Sequence, residues 1–162
     1  MNKEQINAAK QQIHLLCVMW APKAIITQSI DEYTLTLKNI DPKVLYMTAR
    51  PSKNRAFITT EKFMTTWQEN EAIFEKEPPE IAISYSNMPL DSYGVAEAIS
   101  IVLCNPKRGN ETHSWIFQLK FLSSTSIKPG SYDEIALFID WLPSFECPLP
   151  IKLILPTLLP NS

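Results

Sequence analysis

The stretch "EAISIVLCNPKRGNETHSWIFQLKFL", residues 97–122, decides how this chain folds. Two runs rich in β-branched and aromatic residues, 97–104 and 111–122, flank "NPKRGN" at 105–110, where Gly109 supplies a positive φ for a turn. The spacing predicts an antiparallel hairpin. A symmetric loop puts Cys104 opposite Glu111, Ser100 opposite Trp115, Ala98 opposite Phe117 and Ile99 opposite Ile116. Small residues then face large ones, which predicts a sheet buried on both sides for much of its length.

Working outward, thirteen prolines against three glycines divide the chain into short apolar runs of strand length. Residues 3–16 place Ile6, Ala9, Ile13 and Leu16 at helical spacing, so an N-terminal helical segment is expected over 1–17. "YTLTLKNI" (33–40) alternates, with Tyr33, Leu35 and Leu37 on one side. "DPK" (41–43) is turn chemistry and "VLYMTA" (44–49) reads as the return strand of a second hairpin. Thr59 is placed to cap a helix, with Ile58 and Phe63 at the spacing of a hydrophobic staple. Phe63, Met64 and Trp67 then form a core-facing stripe. Pro78 and Pro79 stop that region, and "IAISYS" (81–86) is a strand. "DEIALFIDW" (133–141) turns Ile135, Leu137, Ile139 and Trp141 inward, and "IKLIL" (151–155) closes an edge between two prolines. With about seven or eight short strands and two helices, the expected fold is α+β and mainly antiparallel β. It is a sandwich or partly open barrel with an N-terminal helix and one helix after the second hairpin strand.

Length and composition bound the function. A chain of 162 residues suits one globular domain, ending in a proline-rich extended segment over 142–162. A net charge of −2 offers nothing to counter many phosphates, so no nucleic-acid partner is expected. Cys17, Cys104 and Cys147 are an odd and widely spaced set without CxxC, read as free thiols rather than a disulfide framework or zinc site. "HLLCVMWA" (14–21) is too short and too poorly flanked for a signal peptide, which points to the cytoplasm. Asp140, Glu146, Lys152 and five prolines interrupt the oily C-terminal stretch, so no transmembrane segment is expected. Isolated glycines make no phosphate cradle, and neither GxSxG nor HExxH occurs. In the symmetric register His113 lies diagonal to Cys104, about 7–8 Å away and without an orienting third group, so no dyad follows. No catalytic residue, metal site or cofactor is predicted.

One basic stretch stands apart: "YMTARPSKNRAFITTEKFMTTW" (46–67). Arg50 sits between a strand and Pro51, which favours an extended backbone, and a guanidinium held that way can clamp a carboxylate or phosphate. It can equally pair with a carboxylate of the protein itself and pin the corner. Arg50, Lys53 and Arg55 are therefore the candidate ligand-binding residues, with Lys107 and Arg108 read as solvated charges at a hairpin tip.

The same region resembles a poorly characterised family of small, mostly exported bacterial proteins. Their shared pattern runs L-T-L-x-x-(I/V)-x-P, then (F/Y)-(S/T)-D-R-P, a Phe and a Trp, and an acidic aromatic segment ending P-P-N-A. The matching residues are "LTLKNIDP" (35–42), "YMTARP" (46–51), Phe63, Trp67, Phe74 and "PPEIA" (78–82), and "LCNPKRG" (103–109) resembles a later L-x-N-P step. Ala49 stands where the family has Asp, and Glu80 where it has Asn. The resemblance implies a β-rich domain and export, and no activity.

Two functions follow as expectations. The first is a non-catalytic binding module for a protein partner or a second copy, in which the run Leu142–Leu159 docks on the partner or wraps the domain's own core. The second is a small protein or enzyme that holds an anionic ligand through Arg50.

Overall fold

The computed structural model describes residues 15–48, 54–76, 78–122 and 126–141. Its longest strand, β1 (Leu15–Gln28), buries Cys17, Met19 and Ala21, then Ala24 and Ile26. The buried parity therefore advances by one at Pro22–Lys23, where proline has no N–H to give to a ladder. Opposite Pro22 stands Glu134 at a φ of 52°, so both strands carry an irregularity at this level.

A turn at 29–32, closed by Ser29 N donating to Glu32 O at 2.8 Å, leads to β2 (Tyr33–Lys38). This strand runs back along β1, with Gln28 opposite Tyr33 and Lys23 opposite Lys38. Here the sequence expectation needs correcting. "DPK" does not reverse the chain, and β3 (Lys43–Thr48) does not pair with β2. Instead β3 continues in the same direction along the first part of β1, with Val18 opposite Leu45 and Leu15 opposite Thr48. Between the two, Asn39 at a φ of 53° makes a sidestep. Asp41 N donates to Trp20 O and Ile40 N to His113 O, both at 2.9 Å, so the sidestep stays tied to its neighbours. A fourteen-residue strand needs more ladder than a six-residue partner supplies, and β3 provides the remainder.

The chain goes on through β4 (Asn54–Thr59), α1 (Thr60–Glu69), α2 (Glu71–Lys76), β5 (Glu80–Ser84), β6 (Ile99–Arg108), β7 (Trp115–Phe121) and β8 (Gly130–Trp141). The strand order is β2-β7-β6-β5-β8-β1-β3-β4, and β2 also pairs with β1. Strands β1, β2, β7, β6, β5 and β8 therefore close a six-stranded antiparallel barrel, from which β3 and β4 extend as an arm. The fold is mainly antiparallel β, as expected, but the barrel is closed rather than a sandwich or partly open. Nor are all strands short, since β1 and β8 have 14 and 12 residues. The expected N-terminal helix does not reach residue 16, because Leu15 and Leu16 belong to β1. The rest of that helix, the "IKLIL" strand and the segment 142–162 lie outside the described residues.

The hairpin of residues 97–122 forms, but in another register. Ile101 faces Phe121 and Cys104 faces Gln118, and after an irregularity Lys107 faces Ile116 and Arg108 faces Trp115. Pro106 marks a bulge inside β6 rather than the turn, a place where a missing N–H costs the ladder least. Asn105, at a φ of 52°, is held there by its N–H to Glu71 Oε1 (2.9 Å) and its Nδ2 to Gln118 Oε1 (2.7 Å). Gln68 Nε2 donates to Pro106 O at 2.8 Å. The true turn is 109–114, and Gly109 is needed there for closeness rather than for a positive φ. Its N–H reaches Ser114 O at 2.8 Å, and a Cβ at this position would lie 2.2 Å from Ser114 Oγ. Burial is one-sided: Ile99, Ile101 and Leu103 are in the core, while Ser100, Val102 and Cys104 are half-covered. That corrects the expected two-sided burial.

The start of α1 matches the sequence reading, but the helix follows β4 rather than the strand over 44–49, and a second helix, α2, comes directly after it. Thr59 caps α1, its Oγ1 accepting from Lys62 N at 3.1 Å. Phe63, Met64 and Trp67 are fully buried. Trp67 stacks on Phe74 with centroids 4.7 Å apart and meets Phe117 at 5.6 Å, so α1 and α2 dock on the barrel's aromatic core. Its indole Nε1 is buried without a hydrogen-bond partner. Among the described residues no helix is long and apolar enough to cross a membrane.

Candidate functional site

Of the three basic residues singled out in the sequence, Arg50 and Lys53 lie outside the described residues. Arg55 is on β4, opposite Met47, with its side chain exposed on the outer face of the arm rather than in a loop. The Cys104–His113 diagonal does not form, because Cys104 faces Gln118 and His113 sits in the 109–114 turn at a φ of 57°. Burial pushes the Cys17 thiol up to about 12. The Cys104 thiol is also raised, again by burial, with Lys120 pulling the other way. Neither is activated as a nucleophile. Among the described residues no group of three or more His, Cys, Asp or Glu side chains is placed to hold a metal ion.

The register of the ladders exposes a more informative feature. Phe57 faces Leu45, Leu45 faces Val18, Val18 faces Phe138, and Phe138 faces Ala82. Neighbours in an antiparallel ladder share a face, and these five alternate with core residues such as Val44, Tyr46, Cys17 and Ile139. They form one apolar row across the outside of β4, β3, β1, β8 and β5. Strands lie about 4.8 Å apart, so the row spans roughly 19 Å. Phe57 is 63% exposed, and Trp20 and Phe138 are also exposed. On the opposite wall the equivalent row is Thr27, Thr34, Gln118 and Cys104. Antiparallel sheets facing water normally turn polar residues outward, as that row does. The Phe57–Ala82 row departs from the rule.

Two further features mark the ends of the barrel. At one end a cleft of about 450 Å³ lies between the start of α1, the 39–42 sidestep and the 109–114 turn. Arg108 spans its wall, ion-paired with Glu61 and stacked over the Trp115 ring at 5.2 Å. It is exposed beside the hairpin turn, as expected, but braced by Glu61 and Trp115 rather than solvated alone. Thr60 Oγ1 donates to Asp41 O at 2.5 Å and Thr60 N to Pro42 O at 2.9 Å, which fixes the opposite wall. At the other end, the loop between β5 and β6 is fastened by Asp91. Its Oδ1 accepts from Tyr93 N (2.8 Å) and Val95 N (2.9 Å), and Asp91 N donates to Val95 O (2.8 Å). Gly94 completes the turn at a φ of 76°. The Tyr93 side chain is left 90% exposed.

None of these features was legible in the sequence before the pairings were known. The apolar row could have been found only from the correct register, since Phe57, Leu45, Val18, Phe138 and Ala82 come from five separate runs. Compared with family models, curated proteins and solved structures, the chain matches none.

Proposed function

We propose that this protein is a non-catalytic interaction module that associates with a second copy of itself through the outer face of β4, β3, β1 and β8. The observation that carries the proposal is the apolar row Phe57–Leu45–Val18–Phe138–Ala82. Its outermost strand, β4, pairs only with β3 among the described residues, and an edge strand can take up a further strand. Antiparallel pairing of β4 with the β4 of a second copy, centred on Phe57, places Arg55 across from Thr59 and keeps like charges apart. The two apolar rows then join end to end across a two-fold axis, a self-complementary contact of the commonest kind.

Sedimentation velocity across a range of concentrations tests this. The unaltered chain is expected to shift from monomer to dimer with rising concentration. Phe57→Lys, at a site exposed in the monomer, is expected to hold it monomeric with unchanged thermal stability. A chain that stays monomeric at every concentration, or a dimer indifferent to Phe57→Lys, overturns the proposal. The family-level expectation of an exported β-rich domain belongs with this reading as a proposal. The anionic-ligand alternative depends on Arg50, and no described contact favours it.

A further inference from the structure

The cleft between the start of α1, the 39–42 sidestep and the 109–114 turn holds a polar group that the fold does not use. Ser114 is only 5% exposed and lines this cleft. Its carbonyl accepts from Gly109 N, but its hydroxyl enters none of the hydrogen bonds of the described residues. Among those residues only Trp67 Nε1 is both sealed from solvent and without a partner, so the Ser114 hydroxyl opens on the cleft. Gly109 leaves it room, since a Cβ there would stand 2.2 Å from Ser114 Oγ. A second donor comes from α1. Of its first-turn N–H groups, that of Thr60 goes to Pro42 O and that of Lys62 to Thr59 Oγ1, which leaves Glu61 N at the cleft wall. The Thr112 hydroxyl stands on the opposite wall. A nearly buried hydroxyl without a partner, facing further hydrogen-bonding groups across about 450 Å³, has the size and chemistry of a small-molecule site.

The ion pairs on the walls select the ligand. Glu61 is paired with Arg108, and Glu111 with Lys38 at 3.5 Å. An entering anion would meet two carboxylates whose cations are taken, and an entering cation would have to displace Arg108 or Lys38. A neutral ligand breaks neither pair, and each pair still has lone pairs and N–H groups to spare. Ile40 and Pro42 add an apolar part to the lining. A molecule rich in hydroxyl groups answers all of this, since each hydroxyl both gives and takes a hydrogen bond while ring C–H groups cover the apolar part. We infer that the cleft binds a small uncharged sugar. Ser114 and Thr112 bond its hydroxyls from the turn, and Glu61 N bonds them from α1. The site shares no residue with the apolar row, so it does not depend on self-association.

The test titrates the full ¹⁵N-labelled chain with glucose, galactose, mannose, N-acetylglucosamine, ribose and maltose, and with inorganic phosphate and succinate as charged counterparts. Amide spectra are expected to show saturable shifts at residues 59–62 and 108–115 with at least one sugar, and none with phosphate or succinate. Ser114→Ala and Thr112→Val each remove a hydroxyl that bonds nothing within the described protein. Each is expected to weaken that sugar's binding by about fivefold to tenfold, with the thermal midpoint held. Phe57→Lys, on the separate apolar row, is expected to leave the affinity unchanged. Four results each overturn the inference: no saturable shift with any of the six sugars, shifts confined to other parts of the chain, equal binding of phosphate or succinate, or full affinity in both hydroxyl variants. Loss of sugar binding in Phe57→Lys would also overturn it, by moving the site to the β4 face. A chain that stays monomeric yet binds sugar in the cleft would refute only the self-association.

Discussion

Gly109→Ala isolates a single close approach. The backbone of Gly109 is not in the left-handed region, so alanine meets no conformational penalty there, and the whole cost is steric. An added Cβ would stand 2.2 Å from Ser114 Oγ and 2.9 Å from Ser114 Cβ, both inside contact distance, while the Ser114 carbonyl carbon at 3.4 Å is ordinary contact. Overpacking of this kind costs about 1–3 kcal/mol. Ser114→Gly removes both offending atoms and keeps the Gly109 N–H···O bond, which is made by backbone. In that background the remaining effect of Gly109→Ala is its smaller unfolded-state entropy, stabilising by about 0.4–1 kcal/mol. The same substitution is thus expected to change sign with its neighbour. Urea denaturation of the wild type, both single variants and the double variant measures this, with a coupling energy of about 1.5 kcal/mol or more between the sites. Ser114→Ala, which leaves the Cβ at 2.9 Å, is expected to give partial relief. Equal destabilisation by Gly109→Ala in both backgrounds would refute the reasoning.

Two further outcomes follow from the core and the helix. Thr59→Ala removes the acceptor for Lys62 N and is expected to cost about 1 kcal/mol in thermal unfolding, with Thr59→Ser retaining most of the stability. Cys17, with its thiol raised from 9.0 to about 12, stays protonated when the unfolded chain has begun to ionise. Its contribution to stability is complete below pH 9 and is lost between pH 9 and about pH 12 as the unfolded state sheds its proton first. Over that window stability is expected to fall by on the order of 1 kcal/mol per pH unit, and Cys17→Ala to flatten the slope.

How far the sequence could be read depended on whether a feature was local. Thr59, Ile58 and Phe63 specify the start of α1 within six residues, and that element appeared as expected. Ile135, Leu137 and Ile139 set the face of β8 by simple alternation. Pairing was another matter. Pro106 suits a turn and a bulge equally, and only the docking of Glu71 and Gln68 on residues 105 and 106 selects the bulge. Asp41-Pro42-Lys43 has the chemistry of a reversal, yet Asp41 N is claimed by Trp20 O, and β3 stays alongside β1. At the head of β1, Ile13 and Leu16 continue the helical spacing that starts at Ile6, whereas residue 16 is held in a ladder by Met47 and Asp140. Arg108 could be placed against Glu61 and Trp115 only once its strand was known to extend past Pro106. The candidate surfaces were least legible, because each gathers residues that only the ladders bring together.

The closure of the barrel also sets the order in which the chain can finish folding. β1 enters the sheet at residue 15, but one of its edges is filled by β8, which begins at Gly130 and matches it from Leu15 through Ile26. The β1–β2 hairpin and the β3–β4 arm can form early from neighbouring sequence, while this last seam joins the two ends of the described chain. Contacts of such sequence separation slow folding. During synthesis one edge of β1 stays open until nearly the whole barrel has been made, and the interval before β8 arrives is when this protein is most exposed to pairing with the wrong strand.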